Sequence, residues 1–229
     1  MNDEIRNTVI RILETEKLSG MDEIVLPSPE GRGTHLTDLD SLRNEVSGCG
    51  KCEELARTRQ NIVFGEGHPS ADLMFVGEAP GAEEDKRGVP FVGRAGQLLG
   101  RIIKAIGLDR DRVFIGNVLK CRPPGNRNPL PSEMAACTPY LMAQILLIRP
   151  KVICTLGKFA SQVLLETETP ISKLRGRFHD FKGIKLMPTY HPAYLLRNPG
   201  AKKLVWGDMK IIAAELGLNI PPRDPGDPE

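Results

Sequence analysis

"DLMFVGEAPG", residues 72–81, is the stretch on which the fold turns. Leu73, Met74, Phe75 and Val76 run without a polar break, and Gly77, Pro80 and Gly81 punctuate the residues after them. A strand with one wet face alternates apolar and polar residues; an unbroken apolar run closed by Gly and Pro reads as a strand buried on both faces. Three more runs share this character: "RVFIGNVLKC" (112–121), "KVICTLG" (151–157) and "IKLMPTYHP" (184–192). Between them "AGQLLGRIIKAIG", "YLMAQILLIRP" and "GKFASQVLLE" carry helical period and length. Strand–helix alternation predicts an α/β fold, a doubly wound three-layer sandwich whose mostly parallel central sheet has about four strands. Ligands of such folds gather beyond the carboxyl ends of the strands. That rule directs attention to "GEAPG", "NVLKCRPPGNRNP" and "HPAYLLR". The first of these matches neither the dinucleotide fingerprint nor the phosphate loop, so no nucleotide cofactor is expected.

Working outward, the 229 residues suffice for one substantial domain. We place an N-terminal helical extension with a Pro/Gly linker at 1–46, the main domain at 47–218 and a disordered tail at 219–229. "DEIRNTVIRILETEKL" sets Ile5, Val9, Ile12 and Leu13 at helical spacing, and "VLPSPEGRGTH" reads as a loop. "LTDLDSLRNEV" then puts Leu36, Leu39, Leu42 and Val46 on one helix stripe. No apolar stretch reaches the length of a membrane span, and "MNDEIRNTVI" lacks a signal core, so a cytoplasmic location is expected; the chain is also expected to be a monomer. Five cysteines without such a signal fit a reducing compartment rather than a disulfide framework. The net charge of +2 hides an uneven distribution. Residues 1–48 hold 5 basic and 10 acidic side chains, 86–130 hold 10 and 2, and 173–210 hold 9 and 2. Two basic segments in a nearly neutral chain point to a polyanion, although solvated Lys and Arg also serve solubility alone.

Cys49 and Cys52 form a C-x2-C pair; a gap of 68 residues separates it from Cys121, and C-x15-C links Cys121 to Cys137. Cys121 closes an apolar run, while Cys137 precedes "TPY", where Thr138 can cap a helix and Pro139 can open it. Cys154, inside "VICTL", reads as a buried small hydrophobe. Zinc ribbons usually close with two short pairs, whereas one short pair plus two spread thiolates also suits an iron–sulfur cluster. Spacing leaves both open, together with four unrelated reduced thiols.

Glu78 places a carboxylate at the sheet rim, to serve a ligand or to cap a helix. Phe91, between Pro90 and Val92, is either core or a stacking platform. Asn117 sits inside an apolar run, where Asn is unfavourable unless bonded; its carboxamide can pair with an amide-like base edge or with backbone. His191 before Pro192 is displayed at a strand end. Leu195 and Leu196, followed by Arg197, Lys202 and Lys203, make an apolar wedge flanked by cations, which is what opening a DNA stack requires.

Taken in order, "CGKC", "GEAPGAEED", "PFVGRAGQLL", "NVLKCRPPGNRNP", Cys137 and "HPAYLLRNP" resemble the family 4 uracil-DNA glycosylases, the iron–sulfur branch of their superfamily. The resemblance covers Cys49 to about Leu216. It implies a uracil-DNA glycosylase-like fold and a DNA repair enzyme that flips out deoxyuridine and hydrolyses its N-glycosidic bond, in single- or double-stranded DNA. It implies a [4Fe-4S] cluster on Cys49, Cys52, Cys121 and Cys137. It also implies a uracil pocket of Gly77, Glu78, Ala79, Phe91, Asn117 and His191, with Glu78 and His191 catalytic. Arg122, Arg127, Leu195, Leu196 and Arg197 are the expected DNA contacts. The rival readings are a non-catalytic iron–sulfur module that binds nucleic acid, and a glycosylase of broader specificity.

Overall fold

The computed structural model describes the backbone of residues 24–26 and 34–36, and residues 38–222. The helix expected over the first residues, and the tail beyond residue 222, lie outside the described residues.

Two three-residue strands, β1 (Ile24–Leu26) and β2 (Thr34–Leu36), pair antiparallel, so both ends of the "VLPSPEGRGTH" segment are extended rather than loop. Leu36 therefore belongs to a strand and not to the helix stripe assigned to it. Helix α1 (Leu39–Ser47) begins three residues later, where Asp38 accepts from the Ser41 amide at 2.7 Å, and it buries Leu42 and Val46. Helix α2 (Glu53–Thr58) opens directly after Cys52, and the short β3 (Glu66–Gly67) follows.

The apolar runs become strands. β4 (Leu73–Gly77) leads to α3 (Ala82–Arg87) and α4 (Arg94–Ala105); β5 (Phe114–Asn117) leads to α5 (Pro131–Ile148). β6 (Val152–Leu156) is followed by α6 (Lys158–Leu164) and the single-turn α7 (Ile171–Leu174). β7 (His179–Phe181) and β8 (Ile184–Thr189) form a hairpin, after which come α8 (Pro192–Arg197) and α9 (Lys202–Glu215). The main sheet has the order β3-β5-β4-β6-β8-β7. Its four central strands are parallel, as the apolar runs predict, and the short β3 and β7 add antiparallel edges. Those edge strands escape the sequence pattern because they contain two and three residues, too few for a readable period.

The two-residue alternation of each strand divides its side chains between two cores. Met74, Val76, Phe114, Ile153 and Leu186 pack under α1, α2, α5 and α6. Leu73, Phe75, Ile115, Cys154 and Met187 pack under α4, α8 and α9. The result is the three-layer sandwich. Cys154 is fully buried in the second core, as a small hydrophobe.

Helix α5 starts earlier than "TPY" suggests. Pro131 takes its first position and the Glu133 carboxylate accepts from the Leu130 amide at 2.8 Å, so Cys137 and Pro139 lie inside it. Pro139 has no N–H for the carbonyl one turn back, and the Thr138 hydroxyl, instead of capping, bonds the Met134 carbonyl at 2.7 Å.

Candidate active site

The ends of β4 and β5 meet in register, Gly77 opposite Asn117. The turn after β5 is strapped to β4: Val118 N–H donates to the Gly77 carbonyl and Leu119 N–H to that of Glu78, both at 3.0 Å. Asn117 is buried, and its Oδ1 is a side-chain atom without a hydrogen-bond partner among the described residues. An orphaned buried acceptor is costly unless a ligand completes it. A Cβ on Gly77 would sit 2.4 Å from that oxygen and 2.6 Å from the Phe91 ring. Glycine thus leaves the space into which both side chains project.

Phe91 is buried and holds φ of 52°, a left-handed conformation that a phenylalanine adopts only when its surroundings impose it. Three constraints impose it. The Glu84 carboxylate accepts from the Val92 and Gly93 amides, each at 2.9 Å. The Arg110 guanidinium bonds the carbonyls of Pro90 and Phe91. Gly96 lets the Phe91 backbone approach so closely that a Cβ there would lie 1.9 Å from its carbonyl oxygen. The Phe91 ring centroid is 5.6 Å from that of His191, with the planes tilted by 33°.

His191 is the N-cap of α8. Its Nδ1 accepts from the Ala193 amide at 3.1 Å, so the proton of the neutral ring is on Nε2. Burial, reinforced by the Arg197 charge and opposed by Glu84, takes its pKa down to about 4. The imidazole is neutral at physiological pH and offers one N–H. The preceding segment is anchored from the helical side: Asp208 on α9 accepts from the Thr189 hydroxyl and from Arg175. Glu78 is half-buried, with its carboxyl pKa raised by burial. Ala79 is likewise half-buried beside it.

On the other side of the turn, Cys49, Cys52, Cys121 and Cys137 line one narrow recess, partly open to solvent, together with Arg59, Lys120 and Tyr140. Burial pushes the Cys52 thiol up to about 11 and the Cys137 thiol up to about 12, with further upward pressure from neighbouring thiols. Two donors face the sulfurs: Arg59 Nη1 reaches Cys121 Sγ at 3.2 Å, and Lys120 N–H reaches Cys137 Sγ at 3.3 Å. Among the described residues no three His, Cys, Asp or Glu side chains converge as a site for one ion.

Of the expected DNA contacts, Leu196 and Arg197 are exposed, and Arg122 is half-exposed with Nε on Asn126. Leu195 is only 1% exposed and packs in the second core, so it presents no wedge. One residue decides this, because adjacent positions on α8 point 100° apart. Arg127 also differs from expectation. It spans both oxygens of Glu133 and one of Glu54, tying α5 to α2, so its guanidinium already has carboxylate partners within the fold. Sequence reading missed Glu84, Arg59, Arg110 and Lys120. Their partners lie 8, 62, 19 and 24 residues away, and no local spacing signals such contacts.

A family model described as "Uracil DNA glycosylase superfamily" matches residues 64–210. A protein named "Type-4 uracil-DNA glycosylase" from Sulfurisphaera tokodaii is 48% identical over 186 residues, which cover 77% of this chain and 84% of that protein. Proteins of the same name from Saccharolobus solfataricus and Archaeoglobus fulgidus are 45% and 43% identical. Those matches cover 79% and 81% of this chain and 88% and 97% of the respective relatives.

Proposed function

The chain belongs to the uracil DNA glycosylase superfamily, and from that membership and its pocket we infer that it is a uracil-DNA glycosylase acting in DNA repair. It releases uracil from deoxyuridine in DNA and leaves an abasic site. The observation that carries the pocket assignment is the orphaned Oδ1 of Asn117 beside the space left by Gly77.

Uracil N3–H satisfies that oxygen, and the Asn117 amide donates to O4. Cytosine presents the reverse pattern and leaves buried groups unmatched, at about 1–3 kcal/mol each. Phe91, held in its strained conformation, stacks on the ring. A base inside a duplex is unreachable, so the nucleotide is extruded and Leu196 fills the gap. Arg122 and Arg197 contact phosphates.

Glycosidic cleavage leaves the bonding electron pair on uracil and a cationic sugar. The neutral His191 donates Nε2–H to uracil O2, where negative charge develops; such a directed donor stabilises the transition state without a proton having to move. A neutral donor suits this role, and the His191 pKa of about 4 supports it. Glu78 faces the opposite charge. Burial makes its carboxylate a stronger base, which stabilises the cationic sugar and accepts the proton of the water that attacks it.

Cys49, Cys52, Cys121 and Cys137 fit a [4Fe-4S] cluster. Four thiols share one recess, burial raises those of Cys52, Cys121 and Cys137, and they need cationic compensation to act as thiolates; Arg59 already donates to one sulfur. When bound, the cluster supplies a cross-link between the α2 entrance and the turn after β5, with no redox step in cleavage.

The test is single-turnover excision from single- and double-stranded uracil DNA, with hypoxanthine, mismatched thymine and cytosine as competitors. Uracil release by the wild type and its loss in Asn117→Asp are expected. Binding without release supports the non-catalytic alternative, and equal release of hypoxanthine a broader enzyme. Iron and sulfide analysis checks the cluster, and a colourless zinc protein refutes it.

A further inference from the structure

Lys120 is 1% exposed, and neither the cysteine ligation nor the base-reading chemistry employs its side chain. A buried ammonium is costly unless it is fully bonded, and a methionine would fill similar space at no such cost. Its bonds lead in two directions. The ammonium donates to the main-chain carbonyl of Asn117 at 2.8 Å and to Gln144 Oε1 at 2.6 Å. Gln144 in turn donates to the Phe64 carbonyl at 2.8 Å. The backbone N–H of Lys120 points to Cys137 Sγ, its carbonyl accepts from Val63 N–H at 2.8 Å, and the next residue is Cys121.

We propose that Lys120 is the positioning residue that transmits the rigidity of the cysteine recess to the base-reading amide of Asn117. The Asn117 peptide is held through its carbonyl by the ammonium, and the following amides are held by the carbonyls of Gly77 and Glu78. These three bonds fix the peptide from which the Asn117 side chain departs. The side chain itself has no bond on Oδ1 to orient it before uracil arrives, so its aim depends on the backbone below. A displacement of about 1 Å at such a position lowers rate by about 100-fold. The inference rests on the reading of Asn117 as the uracil contact.

The experiment compares cluster-loaded wild type with Lys120→Met, Lys120→Arg and Gln144→Met. It measures single-turnover excision, KM for uracil DNA, inhibition by free uracil, the visible spectrum and the melting temperature. A misaimed amide costs rate and base affinity together. Lys120→Met is therefore expected to keep the chromophore, lose about 100-fold in rate and bind free uracil about tenfold more weakly, with KM for DNA little changed. Lys120→Arg, which keeps the charge, restores part of the loss. Should Lys120→Met fail to fold, Gln144→Met leaves the ammonium in place and is expected to weaken uracil inhibition several-fold. Unchanged rate and uracil inhibition in Lys120→Met, or in Gln144→Met if that is the variant that folds, overturn the proposal. So does an equal loss in Leu164→Ala, a core substitution at the far end of α6 from Gly157, at matched melting temperature. If the wild type itself neither excises uracil nor is inhibited by it, the reading of the pocket fails instead.

Discussion

The depressed pKa of His191 has a consequence for stability that can be worked through in sign and size. In the unfolded chain a histidine titrates near 6.5, whereas burial and Arg197 lower His191 to about 4 in the fold. The group is a base kept neutral by folding. As pH falls below 6.5 the unfolded state takes up a proton that the native state refuses, so native stability declines through this window. Above 6.5 the contribution is complete, and below about 4 both states are protonated and the decline stops. At 1.36 kcal/mol per pKa unit, this single group removes about 2 kcal/mol by pH 5 and about 3 kcal/mol by pH 4. The perturbation is His191→Gln, which has no titrating ring. Urea unfolding of both proteins from pH 7.5 to 4 isolates the term, because the raised Glu78 and the buried thiols are common to both. The wild type is expected to lose more stability than the variant by these amounts. Parallel curves refute the reasoning. The same argument predicts that wild-type excision shows no inflection near pH 6.5 from this imidazole. An inflection there that vanishes in His191→Gln means that the ring is protonated in the working range, and that the neutral-donor role is wrong.

Other expectations concern the two leucines, the pocket floor and the arginines. Leu195→Ala deletes a core side chain and should cost about 2–5 kcal/mol of stability. Leu196→Ala should stay within about 0.5 kcal/mol and slow excision from duplex more than from single-stranded uracil DNA. Equal slowing on both substrates removes Leu196 from the wedge role. Gly77→Ala drives a Cβ to 2.4 Å from Asn117 Oδ1 and 2.6 Å from the Phe91 ring, displacing the amide or the ring, and should reduce excision by at least about 100-fold with the secondary structure intact. Normal activity in that variant places the base elsewhere. Arg127→Ala leaves Glu133 buried without its partner and should lower the melting temperature, while the salt slope of DNA binding stays at the wild-type value. Arg122→Ala should reduce that slope by about 1. Exchanged behaviour of the two arginines would restore Arg127 to the DNA surface.

The sequence by itself determined the architecture and the chemical cast. Runs such as Leu73–Val76 and Val152–Leu156 are apolar on both faces, and only a sheet covered on both sides can hide them; four such runs with helices between leave little choice of fold. Motif order singled out Cys49, Cys52, Cys121 and Cys137, which the fold brings into one recess, and marked Glu78, Asn117 and His191 as candidates through the Gly and Pro positions and strand ends beside them. What tertiary structure alone decided are contacts between distant segments. Whether Leu195 or Leu196 faces outward depends on the phase of α8 against the second core. Arg127 meets Glu54 across 73 residues, an encounter that no local spacing announces. The left-handed Phe91 is imposed by Glu84, Arg110 and Gly96, none of which marks position 91 in the sequence. Burial, too, belongs to the assembled fold. Residue type supplies a histidine and a lysine, but desolvation and neighbouring charges, which exist only once the layers have packed, make the one a neutral donor and lock the other beneath Asn117.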